Sequence, residues 1–448
     1  MGRHPPGPPQ PGPGDHVGHP LRAELPLLRG ADHPELHAEL LHRRREGARQ
    51  EAGLPGGAPL AGEQDQHRGP DDPRGGGVVR ELPRHPGARD VRRGLPVRAA
   101  AAEPLIPHSR PTLDETDAER VAAVVRRGWV GPGPEVAAFE REVAERCGTA
   151  AAAAVSSGTT ALELALRVLD VGAGHEVIVP SYVCDALHHA VRRVGATPVL
   201  ADADPATLSL SAKDARVRLT PRTRCLILPH AFGLAADVEP FLALGVPVVE
   251  DCAQALGARL AGRPVGSFGA LAVCSFYATK LVTTGEGGAV AGPEALVARV
   301  RDLRDYDERE DLAPRFNAKL SDLAAALGRS QLARFDGFLA RRRAIAARYR
   351  ARLGSLPCVT PSDVGPRHVY HRFVLELERA PETVQAALAA RGVAARRPVF
   401  RPAHRALGLD GFPEADRLWR RALSIPCYPS LADAEVDAVA AALREALA

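Results

Sequence analysis

Between Val246 and Gly292 the chain gathers the residue types that imine chemistry needs. An Asp closes an apolar run (Asp251), a second apolar run ends in a hydroxyl (Ser275), a Lys follows (Lys280), and a Gly-rich turn completes the stretch (Gly285, Gly287, Gly288). Of the 58 Lys and Arg residues, only Lys213, Lys280 and Lys319 are lysines, so Arg serves wherever a plain positive charge suffices. A guanidinium keeps its proton near neutral pH, whereas a desolvated Lys amine loses it and adds to an aldehyde. Most lysines in most proteins are solvated surface amines. The apolar runs on both sides of Lys280 argue for the chemical role.

VVED reads as a buried strand, Pro247 to Glu250, that delivers Asp251 at its carboxyl end, where ligands sit in an open α/β sheet. LAVCSF reads as a second buried strand ending in a hydroxyl. An Asp in an apolar site keeps a pyridine nitrogen protonated, and a Lys holds an aldehyde as a Schiff base. Together they are the partners expected of pyridoxal 5′-phosphate. Upstream, AAAAVSSGTTALELAL reads as a strand, a Ser-Ser-Gly-Thr-Thr turn and a helix. The turn sets Gly158 and the hydroxyls of Thr159 and Thr160 at a helix N-terminus, which favours a phosphate. A plain Ser/Thr helix cap is the structural reading of the same residues. Ser275 adds a further hydroxyl for the phosphate.

The elements that must position these groups alternate. EVIVPS, TPVLAD, RCLILPH and PVVED read as strands, with helices after Asp185, Ser211 and Val238. This order implies a mainly parallel sheet with helices on both faces. The strand ends deliver Ser181, Asp202, His230 and Asp251. Helices are predicted from about Glu115 to Arg127 and from about Pro134. A long helix to about Leu353 leads to a smaller unit, with RHVYHRFVLEL as a strand and an amphipathic helix at the end of the chain. The organisation expected is a large domain over 103–330 and a linking helix with a small α+β domain over 331–448.

Residues 1–102 differ in kind. They hold 16 of the 40 prolines and 8 of the 16 histidines but no Lys, Cys, Ile, Phe, Tyr or Trp. Such a segment buries too little apolar area to offset the entropy of ordering it. It reads as a disordered extension or as upstream sequence translated from an early start codon. Its histidines lack ligand spacing, so no metal site is expected. The net charge of +4 is spread thinly, which argues against a nucleic-acid surface. No apolar stretch has the length of a spanning helix, so no membrane partner is expected. Seven cysteines without C-x-x-C spacing fit free thiols in a reducing cytoplasm.

EDCAQALGA, VGSFG, SFYATK and TTGEGGAV, in that order, resemble the DegT/DnrJ/EryC1/StrS family of sugar aminotransferases. The resemblance runs from about Glu103 to Ala448. It implies the aspartate aminotransferase-like fold (fold type I of the pyridoxal phosphate enzymes) and a homodimer with shared active sites. It implies an amino group moved from Glu or Gln to a keto group of a nucleotide-linked deoxy sugar. Lys280 and Asp251 would be catalytic. Ala253 would pack under the cofactor ring, Gln254 would bond its phenolic oxygen, and Gly158, Thr159 and Ser275 would take its phosphate. Cys184 stands where the family commonly has a stacking aromatic, so Tyr182 becomes the alternative stacking residue. Asn317 matches a family Asn that reaches the neighbouring subunit's cofactor phosphate, and Lys319 stands at the Arg position of the same segment. HAFG matches a family turn, leaving His230 between substrate hydrogen bonding and loop structure. RRPVFRPAH resembles a segment of perosamine-type enzymes, which would place Arg396, Arg397 and His404 near substrate phosphates. The Lys at 280 speaks against the related sugar 3-dehydratases, which carry His there. A cyclitol aminotransferase or an aromatic-ring-forming synthase on the same scaffold is the alternative, and a non-catalytic scaffold is the option from another class.

Overall fold

The computed structural model describes residues 106–354 and 356–448. The extension predicted over 1–102 lies outside the described residues. The strands before residue 293 are β1 (Ala151–Val155), β2 (Glu176–Pro180), β3 (Thr197–Ala201), β4 (Thr223–Pro229), β5 (Val248–Asp251), the ribbon β6 (Arg259–Leu260) and β7 (Arg263–Pro264), β8 (Leu271–Ser275) and β9 (Gly288–Gly292). All but the ribbon form one sheet in the order β1-β9-β8-β5-β4-β2-β3. β3, β2, β4, β5 and β8 are parallel to their neighbours in that series. β9 is antiparallel to both β8 and β1. A sheet covered on both faces needs strands apolar on both faces, which is what EVIVP, VVED and LAVCS supply.

The antiparallel β9 fixes the position of Lys280. Only residues 276–287 join β8 to β9, and this connection holds no helix of the kind that usually carries a crossover to a parallel neighbour. The connection therefore leaves and re-enters the sheet at the carboxyl end of β8. Lys280 rides on it and reaches the same end of the sheet as the last residues of β4 and β5.

Side chains alternate between faces along each strand. Val249, Val273 and Val290 enter one core, while Val248 enters a second and Ala272 and Ala289 a third. Asp251 and Ser275 share the parity of Val249 and Val273. Glu250 takes the opposite face.

A second, antiparallel sheet joins β10 (Cys358–Val359), β11 (Phe373–Leu377) and β12 (Ala422–Ile425) in that order. Its core includes Phe373, Leu375 and Leu423 packed with Ile345 and Tyr349 of the helix Phe335–Leu353 and with Val439 and Leu443 of the helix Asp433–Leu447. The strand predicted across RHVYHRFVLEL starts only at Phe373. Tyr370 takes a left-handed φ of 50°, which ends any extended run there. The preceding residues instead bond the HAFG turn: the Val369 N–H donates to Gly233 O (2.8 Å) and the Arg372 N–H to Phe232 O (3.1 Å). Gly233 sits at φ 100°, and a Cβ there would lie 2.7 Å from the His371 nitrogen, so only Gly permits the approach. The buried Arg342 guanidinium bonds the carbonyls of Tyr370 (3.1 Å), His371 (3.4 Å) and Cys427 (2.6 Å).

Candidate active site

Lys280 and Asp251 line one recess, together with Cys184, Tyr182, His230, Phe232, Ala253 and Gln254. The recess encloses about 450 Å³ of atom-free space, open solvent at its mouth included. Burial raises the Asp251 carboxyl above its ordinary range, opposed by the Ala253 N–H, which donates to Oδ1 at 3.0 Å, and by the charge of Lys280. Burial lowers the Lys280 amine, opposed by Cys184 and Asp251 and reinforced by Arg372. Among the described residues Lys280 forms no ion pair. An amine that sheds its proton easily beside a sequestered carboxylate is a pair suited to imine chemistry.

Groups a pyridoxal phosphate would use are free in the recess, at Gln254, and outside its lining, at the start of the helix Gly158–Val168 and at Ser275. The Gln254 amide oxygen accepts from the Phe232 N–H at 2.8 Å, which turns the NH₂ away from that contact as an uncommitted donor. The Ser157 side chain caps the helix Gly158–Val168 by accepting from the Thr160 N–H. The N–H groups of Gly158 and Thr159 therefore remain for a ligand. A Cβ on Gly158 would lie 2.7 Å from the Ser275 Cβ and 2.9 Å from its Oγ. Gly158 thus keeps open the gap between the helix start and the β8 hydroxyl. Among the described residues no protein group bonds Ser275 Oγ. A phosphate fits this donor set. Cys184 is exposed, yet protein crowds its thiol closely enough to push it above the ordinary range.

Glu250, one residue before Asp251, was not legible as a site residue. It is fully buried on the other face of β5 and accepts four hydrogen bonds. Oε2 takes His230 Nε2 (3.0 Å) and the Gly266 N–H (2.8 Å), and Oε1 takes the N–H groups of Phe268 and Gly269 (2.7 Å each). VGSFG is therefore a nest of amides around a carboxylate. A Cβ on Gly269 would approach Val248 O to 2.5 Å, which explains the glycine. His230 Nδ1 accepts from the Ala236 N–H at 3.1 Å, so the ring proton sits on Nε2 and points at Glu250. Both ring nitrogens are thereby bonded within the fold, while His230 also lines the recess.

Several residues expected at the substrate have partners within the chain. Lys319 pairs with Asp305 (2.7 Å) and Asp307 (2.5 Å). Arg397 donates to Glu382 at 2.8 Å and stacks on Trp419. The buried His404 takes the Ser181 hydroxyl on Nδ1 (2.6 Å) and donates from Nε2 to Asp416 (3.3 Å). The linear pattern did not reveal these partners, and Arg397 Nη1 stays buried without one among the described residues. Asn317 is exposed. Tyr182 does line the recess, its ring edge-on to Phe232 at 6.2 Å, and its buried hydroxyl has no partner among the described residues. Phe232 itself holds a left-handed φ of 57°, a strained conformation for an aromatic residue at the recess wall.

Comparison with known proteins gives a consistent result. The sequence model of the DegT/DnrJ/EryC1/StrS aminotransferase family matches residues 111–444. The chain is 34% identical to the GDP-perosamine synthase of Caulobacter vibrioides, over 77% of this chain and 99% of that one. It is 38% identical to the dTDP-3-amino-3,4,6-trideoxy-alpha-D-glucose transaminase of Streptomyces venezuelae, over 74% and 92%. The solved PLP-form of Spr1654 from Streptococcus pneumoniae superposes with a TM-score of 0.73 at 26% identity, over 76% of this chain and 98% of that one.

Proposed function

The chain belongs to the DegT/DnrJ/EryC1/StrS aminotransferase family, and on that premise we propose that it binds pyridoxal phosphate in the recess at Lys280 and aminates the ketone of a nucleotide-linked deoxy sugar. The amino donor is Glu or Gln, and the working form is a cytoplasmic homodimer. The observation that carries this reading is that Lys280 and Asp251 face one recess.

When bound, the cofactor supplies an aldehyde and an electron-accepting ring through which the amino group passes from donor to ketone. The protein's part follows from its residues. Lys280 would hold the aldehyde through Nζ, and its free amine would be the base and acid that moves the proton of the donor's α-carbon. Its depressed proton affinity suits that exchange. The Asp251 carboxylate would hold a proton on the ring nitrogen. Ala253 would pack against the ring, the Gln254 NH₂ would bond the phenolic oxygen, and the Cys184 thiol would cover a ring face. The Gly158 and Thr159 amides and the Ser275 hydroxyl would bind the phosphate, and Asn317 would reach the phosphate of the other subunit.

The experiment has two parts. Purified protein should show a visible absorbance band that borohydride bleaches and that Lys280→Ala lacks. A panel of keto-deoxy nucleotide sugars with glutamate should then release 2-oxoglutarate for at least one member. A colourless wild-type protein that stays so after adding pyridoxal phosphate refutes the reading.

A further inference from the structure

We infer that the hollow beside Lys280 seats an oxyanion of the substrate, with Arg372 as its principal contact, Arg110 and Arg396 at its rim and His371 behind it. The hollow is also lined by His108, Tyr277 and Thr279, and among the described residues no carboxylate lines it.

The argument rests on charge left uncompensated. Many of the chain's arginines pair with carboxylates: Arg304 meets Glu140, Arg417 meets Glu376 and Glu414, and Arg348 meets Asp437. Arg372 is half-buried, and among the described residues it has no ion pair. Its side-chain bond goes to a neutral ring: Nη1 donates to His108 Nδ1 at 2.6 Å, the one acceptor nitrogen of a neutral imidazole. Burial, Arg372 and Arg396 hold that imidazole down at about 3, so it stays an acceptor toward Arg372. His108 Nε2 in turn lies 3.0 Å from Ser424 Oγ, which fixes the ring. A guanidinium anchored on one edge by a neutral acceptor keeps its other N–H groups for a ligand.

His371 supplies the second observation. It is 5% exposed, its Nδ1 has no partner, and no side-chain hydrogen bond is made by its ring among the described residues. The charged groups it senses are Arg372, Lys280 and Arg342, followed by His108, all cationic or neutral. Unpaired polar groups and unpaired cations in a protein interior are costly unless something satisfies them. A carboxylate or phosphate in the hollow would satisfy Arg372, matching the guanidinium fork through two oxygens.

Two oxyanions belong to the reaction proposed above, the α-carboxylate of the amino donor and the diphosphate of the nucleotide sugar. The identity of the substrate rests on that proposal; the existence of the seat does not. The full-length protein is titrated calorimetrically with inorganic pyrophosphate and, separately, with succinate, as wild type, Arg372→Met and Arg372→Lys. At least one anion should bind wild type and lose about tenfold or more in affinity in Arg372→Met, with partial recovery in Arg372→Lys. A loss confined to pyrophosphate assigns the diphosphate, and one confined to succinate assigns the donor. The matching substrate's KM should rise more than kcat falls, a split that mere distortion would not produce. Arg396→Met, at an exposed position, should weaken the same anion less and serves if Arg372→Met does not fold. The inference is overturned if neither anion binds wild type, or if both bind the variants as tightly as wild type. A wild type that binds anion but shows no borohydride-sensitive band would instead refute the cofactor reading alone.

Discussion

Glu250→Gln separates what β5 does for the fold from what it does for the recess. All four groups facing the Glu250 carboxylate are donors, His230 Nε2–H and the amides of Gly266, Phe268 and Gly269. Gln keeps the size but one end becomes an NH₂ set against two of those donors, leaving both unmet in a buried site. At about 1–3 kcal/mol for each buried donor left unsatisfied, the cost is about 2–6 kcal/mol. That is a large part of the ~5–15 kcal/mol that holds a domain folded. The melting temperature should fall by roughly 5–15 °C in a calorimetric or fluorescence scan. The sign of the pH dependence is also determined. Burial alone would raise the Glu250 carboxyl, but the His230 and backbone bonds outweigh it and hold the group below the ordinary Glu range. A folded-state pKa below the unfolded one gives stability that is complete above the unfolded Glu range and is lost as pH falls through the folded value. The gap between wild type and variant should therefore be widest near neutral pH and narrow in acid. An unchanged melting temperature at neutral pH, or a gap that widens toward acid, refutes the reasoning.

Lys280→Arg keeps charge and bulk but not the dissociable proton, so turnover and the borohydride-sensitive band should both vanish; transamination by that variant would remove Lys280 from the chemistry. Gly158→Ala puts a methyl 2.7 Å from the Ser275 Cβ and should lower cofactor affinity by about tenfold or more, read by equilibrium dialysis with pyridoxal phosphate. Retained affinity would show that the phosphate lies elsewhere. Cys184→Phe should slow cofactor loss on dialysis, since an aromatic ring on that face adds about 0.5–1.5 kcal/mol of stacking; faster loss would mean the recess is shaped around the smaller side chain.

The sheet and the residues of the recess were legible in the sequence for separate reasons. Runs such as EVIVP and LAVCS are apolar at every position, which marks buried parallel strands. Lys280 stood out because the chain uses Arg almost everywhere else. Glu250 was hidden because a carboxylate beside Asp251 looks the same in one dimension. Only strand alternation, with the nest of VGSFG amides nearby, tells the structural acid from the one facing Lys280. The partners of Lys319, Arg397 and His404 are invisible in a linear pattern: Asp305 and Asp307 for the first, Glu382 for the second, Ser181 and Asp416 for the third. Arg372, His371 and His108 went unnoticed for the converse reason. What marks them is a missing counter-charge, and an absence in space leaves no trace in a string of letters.

The adjacency of Glu250 and Asp251 ties the register of β5 to both tasks at once. One residue added or removed between Val246 and Asp251 would exchange the two carboxylates: the shorter acid would turn toward the glycine amides of residues 266–269 and the longer one would project at Lys280. Neither exchange is conservative, because a side chain one methylene short cannot fill the amide nest and one methylene long crowds the amine. Single-residue insertions and deletions in this strand should therefore be as damaging as loss of either acid, whereas the loops at the opposite end of the sheet have room to vary in length.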